Sequence, residues 1–193
     1  LTVLPKKPLR TLIALLFCTS LAPFLLPAEG IGVQVDAAWY GSVPSSMHED
    51  DLPVRTHLSL GGTLEPIIVD ISDHLSISSG LSIRYTTRSI PYGSVVWSPF
   101  IAAGPSIALT LEVTPVWSVS TALALLGGIY LHTWELAPYL RCAITPEYVS
   151  TPQDARHTVA VSFPIAADLR TDYFALSAGI GVRWYYDFYQ ESK

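Results

Sequence analysis

Polar and apolar residues alternate with a period of two along most of this chain. Beyond its first 30 residues there is no uninterrupted apolar run of the about 18 residues that a membrane-crossing helix needs. Period two belongs to an extended strand whose two faces meet different surroundings. It is cleanest near the C-terminus. There Phe174, Leu176, Ala178, Ile180, Val182, Trp184, Tyr186 and Phe188 alternate with Ala175, Ser177, Gly179, Gly181, Arg183 and Tyr185. The same pattern marks segments near 31–40, 54–65, 75–86, 95–113, 117–131, 135–147 and 158–165, the sixth being the weakest. That makes eight segments, and each can supply the roughly 9–11 residues of a tilted transmembrane strand.

Composition decides which kind of strand protein this is. Half of the residues are hydrophobic and 14% are charged, against about 25% charged in a soluble domain. The polar face of the segments is mostly Gly, Ser and Ala, too small and too sparsely charged for a solvated surface. A soluble sandwich or soluble ligand-binding barrel would present Lys, Glu and Thr there. In lipid every backbone N–H and C=O must find a partner within the protein, which a strand protein achieves only by closing on itself. The expected fold is therefore all-β, an eight-stranded antiparallel up-and-down transmembrane β-barrel over residues 31–193. Eight strands leave an interior just wide enough to be filled by side chains, which suits the small inward residues.

Residues 1–30 read as a secretory signal peptide. Lys6, Lys7 and Arg10 form a basic start, Leu12–Leu26 is apolar, and Ala28-Glu29-Gly30 offers small residues for cleavage after Gly30. A retained anchor is the rival, but the apolar stretch is short and broken by Pro23. A lipoprotein signal at Cys18 fits poorly because bulky Phe17 precedes it. Without this leader the chain keeps 8 basic and 15 acidic residues. It then has no basic stripe, which argues against nucleic acid as a partner. Only Cys142 remains, so no internal disulfide forms.

If the N-terminus starts in the periplasm, outer loops fall near 44–53, 87–94, 132–134 and 169–172. Inner turns fall near 66–73, 114–116 and 150–156. The first outer loop carries His48, Glu49, Asp50 and Asp51, which read as a solvated acidic loop rather than a metal site. No metal or cofactor is expected. Trp39, Trp97, Trp117, Trp184 and Tyr186 sit near strand ends and read as interface girdles facing outer-membrane lipid. Charges on the inward face are costly unless paired. Asp36, Arg55, Glu65, Arg84, Glu112, Glu135, Arg141, Glu147 and Arg183 fall on that face, and an ion-pair network of Glu65, Arg84, Glu112, Arg141 and Arg183 is expected inside the lumen. His57 with Ser59, and His74 with Ser76, share strand faces. No nucleophile elbow, zinc spacing or phosphate loop accompanies them, and the chain reads as a non-enzyme.

The stretch Asp168-Leu169-Arg170-Thr171-Asp172-Tyr173, leading into Ala178-Gly179-Ile180-Gly181-Val182-Arg183-Trp184, resembles the last strand of the OmpW-like proteins. More broadly the chain resembles the small eight-stranded outer-membrane barrels of the OmpW and OmpX kind. The resemblance implies a C-terminal strand read by the barrel-assembly machinery, although Gln190-Glu191-Ser192-Lys193 follows the closing aromatics here. It also implies a narrow channel or conduit for small hydrophobic solutes. The alternative is a non-conducting surface barrel whose outer loops bind host or matrix molecules.

Overall fold

The computed structural model describes residues 28–44, 55–87, 100–131, 133–150, 156–170 and 173–188. They form one antiparallel sheet: β1 (Gly30–Pro44), β2 (Arg55–Ser72), β3 (Leu75–Thr86), β4 (Phe100–Thr114), β5 (Trp117–Tyr130), β6 (Leu136–Val149), β7 (His157–Ser162), β8 (Ile165–Arg170) and β9 (Tyr173–Asp187). Strands β1 to β6 each pair with the next, and β8 pairs with β6 and β9. The sheet closes where β1 lies against β9, from Gly30 opposite Asp187 to Pro44 opposite Tyr173. Among the described residues no strand edge is left open, which is the condition for standing in lipid.

β7 and β8 are two halves of one strand. Both keep a single register against β6 (Ser162 opposite Glu147, Ile165 opposite Ile144) and a single register against β9. The break falls at Pro164, which has no N–H for the ladder. Its carbonyl still accepts from Gly179 N–H at 2.9 Å, and Phe163 N–H still donates to Pro146 O at 2.9 Å. The barrel thus has eight physical strands. The weakly patterned region around 134–156 contains a regular strand, β6.

Pro66 acts differently. The sequence places an inner turn over 66–73, but β2 continues to Ser72 and the turn is Asp73-His74. The missing N–H is absorbed by an irregularity, seen as a register shift between Leu64 and Ile67 against β3. The extra residue reverses the alternation, so Ile68 and Asp70 come to face the interior.

Paired residues spiral around the barrel. Leu81 lies opposite Leu64, and Leu64 opposite Val33. The neighbouring circuit Gly80, Ser106, Ala124, Arg141, Asp168, Ala175 closes on β1 at Ser42 instead. The stagger is about ten residues, which goes with strands tilted by roughly 40°. Outside, the alternation exposes an apolar belt that includes Val35, Leu60, Ile83, Leu109, Ile144, Leu176 and Ile180. It runs right round the barrel, far beyond the few hundred Å² of contiguous apolar surface that a soluble protein shows.

The two ends differ. Residues 28 and 188, the turns 73–74 and 115–116, and the ends of β6 and β7 mark a turn end. The long connections 45–54 and 88–99 join strands at the opposite, loop end. The hairpin from β5 to β6 is tight, and Trp134 takes φ 60° while donating its N–H to Tyr130 O at 2.8 Å.

Candidate functional site

The inward residues stack in layers. Nearest the loop end lies an apolar layer of Phe100, Leu126, Tyr139 and Tyr130. The Phe100 ring is 4.9 Å from that of Tyr130 and 5.9 Å from that of Tyr139, and Leu126 is fully buried. The tip of the Phe100 ring lies against Gly128, where any Cβ would strike it. A narrow lumen admits a Phe only if the facing strand supplies a residue without a side chain.

The middle layer is ionic. Arg84 donates both terminal N–H groups to Asp36 Oδ2, its guanidinium lying over Gly61. Arg141 Nη1 donates to Asp168 Oδ1 at 2.8 Å. Between them is a small polar chamber of about 50 Å³, lined by Gln34, Thr63, Ser82, Ser106, Ser120 and Thr145.

The third layer centres on Arg183, which is 1% exposed. Its Nε donates to Glu65 Oε2 at 3.0 Å, its Nη2 to both Glu65 oxygens at 2.9 and 2.7 Å, and its Nη1 to Glu147 Oε1 at 2.9 Å. Ser78 Oγ also donates to Glu65 at 2.9 Å. Glu147 Oε2 accepts from Tyr185 OH at 3.0 Å and from Ser118 Oγ at 3.3 Å. The guanidinium lies 4.3 Å from the centre of the Tyr185 ring. One arginine therefore serves two buried carboxylates, and hydroxyl donors add hydrogen bonds to both. Pairing and hydrogen bonding of this kind make a buried charge tolerable.

Beyond this layer the barrel opens at its turn end into a vestibule of about 460 Å³, with Glu29, Asp70, Asp73, His74, Glu112 and Asp187 among its walls. Asp70 stands close to the turn, past the roughly 9–11 residues that β2 needs to cross a bilayer. Its carboxyl is pushed up to about 6, first by burial and then by the carboxylates of Glu29, Asp187 and Glu112.

Of the five residues expected in one network, Glu65 and Arg183 meet. Arg84 and Arg141 pair instead with Asp36 and Asp168, and the three arginines form separate groups. Glu112 is not in the lumen network. It faces inward but only two residues before β4 ends, so it sits half-exposed in the vestibule, its Oε2 3.9 Å from His74 Nδ1. Asp168 is absent from the expected set because the seventh segment is read only to 165 and an outer loop is expected near 169–172. The parity of Ala160 and Ser162, carried on through Pro164, puts it on the inward face. Asp36 and Glu147 share that face by the same parity, but sequence names no partner for either. Tyr185, Ser78 and Ser118 carry no signal beyond their inward position.

Trp39 is exposed towards the loop end. Trp117 packs edge-on against Tyr148 at 5.4 Å, and Trp184, Tyr186 and Phe188 form a column with His157 at the turn end. Residues His48, Glu49, Asp50, Asp51, Trp97 and Cys18 lie outside the described residues, as does the side chain of His57. Among the described residues no group of three His, Cys, Asp or Glu side chains could hold a metal ion.

A closed barrel with an apolar outer belt and a polar, ion-paired interior defines a transmembrane β-barrel protein of the smallest size class. The solved structures similar to it are of that kind. The Ail attachment invasion locus protein of Yersinia pestis matches with a TM-score of 0.53 at 11% identity, over 83% of this chain and all of that one. Ail in complex with the heparin analogue sucrose octasulfate gives 0.51 at 9% identity, with the same coverage. Neisserial surface protein A gives 0.47 at 12% identity, over 82% of this chain and 97% of that one. No protein-family model matches the chain, and no curated protein does. The chain has the fold of the small eight-stranded outer-membrane barrels.

Proposed function

We propose that this chain is an integral outer-membrane protein whose lumen is closed to solutes and whose activity lies in the loops at its loop end. The observation that carries this reading is the Arg183 layer: four charge-assisted hydrogen bonds from one guanidinium span the lumen between β2 and β6. Passage through the barrel would require breaking them, with the Phe100 layer as a second obstruction. In this reading the turn end faces the periplasm, the signal segment is removed, and β9 is the strand handled by the barrel-assembly machinery. The connections 45–54 and 88–99 then face outward and bind a host or matrix molecule. The barrel of similar fold from Yersinia pestis is an attachment invasion locus protein and was solved with a heparin analogue. The loop at 48–51 carries Glu49, Asp50 and Asp51, so a sulfated polyanion would be repelled there and a neutral or basic partner fits better.

A conduit for small hydrophobic solutes is the second reading, favoured by the apolar lining of Phe100, Leu126 and Tyr139. Planar-bilayer recording of the refolded barrel separates the two. A silent, folded barrel with cell-surface binding that is lost on deleting residues 45–53 supports the first. Reproducible single-channel steps altered by Glu65→Gln overturn it.

A further inference from the structure

The chamber between the ionic layers has about 50 Å³, and six uncharged polar side chains help to wall it: Gln34, Thr63, Ser82, Ser106, Ser120 and Thr145. Ser106 and Thr145 are 7% and 5% exposed. The charges at its edge already have opposite partners: Arg84 has Asp36, Arg141 has Asp168, and Glu65 has Arg183. That favours a neutral occupant over an ion. A hydroxyl both donates and accepts, so the chamber suits a molecule that does the same. Truly empty cavities are apolar, and a polar one of sufficient size holds water.

A second observation comes from the wall at Pro164, which also lines the chamber. Gly179 N–H donates to Pro164 O at 2.9 Å. Such a pair ordinarily exchanges two bonds, but Pro164 has no N–H to return. Gly179 O therefore lacks its ladder bond. One residue earlier, Phe163 N–H donates to Pro146 O at 2.9 Å, and Pro146 likewise returns nothing to Phe163 O. Ser162 is 0% exposed, and its Oγ has no hydrogen-bond partner among the described residues. That Oγ stands over Gly181 beside the Cβ of Asp36, another residue of the chamber. Unpaired polar groups so deep in a barrel wall are costly, and lipid offers them no donor. Water in the chamber is a donor on the inner side of that wall.

We propose that the chamber is a water site built into the lumen. At roughly 10–15 Å³ for each water, about four fit. Their hydrogen bonds go to the chamber hydroxyls and to the groups that Pro146 and Pro164 leave unserved. This inference goes beyond the reading of the loops and does not rest on it.

The test uses the whole chain refolded in detergent micelles. Oxygen-17 magnetic relaxation dispersion counts the waters held inside a protein. Ala122 lines the chamber, so Ala122→Leu fills it. The unaltered protein should hold about four more internal waters than the folded variant. Equal counts would overturn the proposal. If Ala122→Leu does not fold, crystals of the unaltered protein under xenon pressure decide the matter. Water density in contact with Ser106 and Thr145 supports the site. Xenon in the chamber marks a dry, apolar cavity and overturns it, as does a chamber without density of either kind.

Discussion

Replacing Arg183 with Met is the sharpest test of how this barrel is held together. Met fills much of the same volume with no charge. The side chain lost is 1% exposed and serves two carboxylates that are 4% and 0% exposed. Glu65 would keep only the Ser78 hydroxyl, while Glu147 would keep Ser118 and Tyr185. Breaking a buried pair from one side costs about 3–5 kcal/mol, because a desolvated charge is left behind. Glu147, still holding two donors, places the expectation nearer the lower figure. The assay is urea unfolding of the refolded barrel in lipid vesicles, followed by tryptophan fluorescence. Arg183→Met with Glu65→Gln should recover part of the loss, since the less well satisfied charge is then gone. The reasoning is refuted if Arg183→Met alone lowers stability by under about 1 kcal/mol, the range of a solvent-exposed pair. Water would then already reach the layer, and the lumen would not be sealed there.

Other predictions concern the remaining layers and the mouth. Ile180→Arg, in the middle of β9 on the outer face, should cost about 2–4 kcal/mol in vesicle unfolding if that face meets the bilayer midplane; a neutral result would contradict the lipid belt. Gly128→Ala forces its methyl into the Phe100 ring and should cost about 1–3 kcal/mol. Adding Phe100→Leu should relieve it, and additive losses in the same titration would refute the contact. The folded-state value of Asp70, about 6, lies above its ordinary 3.8. The folded state thus binds the proton more tightly, and stability should fall as pH rises from about 4 to about 6. Asp70→Asn should flatten that slope in urea titrations taken across the range.

Much of this architecture was legible because alternation is a local property. Val35 and Asp36, or Val182 and Arg183, are assigned to opposite faces by parity alone, and parity survives wherever the backbone stays extended. The apolar belt, the polar lumen, the antiparallel order and the inward position of Arg84, Arg141 and Arg183 follow from it. Two prolines show where local reading ends. Pro66 is absorbed by an irregularity that reverses the parity of Ile68 and Asp70, whereas Pro164 interrupts the strand without shifting register. Sequence marks both as missing N–H groups and cannot tell the outcomes apart, because each depends on what the neighbouring strands offer.

Partner choice was beyond the sequence for the same reason. Arg183 reaches Glu65, 118 residues away in the chain, because closure lays β9 against β1, with Arg183 opposite Gln34 and Glu65 opposite Gly32. Local register puts Arg141 directly opposite Asp168, sets Arg84 and Asp36 on either side of Gly61, and leaves Glu112 at the mouth with His74. By itself the sequence determined which residues face inward and that their charges would need partners. The strand registers and the closure of β1 on β9 decided which charge meets which, because together they set the height of each side chain along the barrel axis.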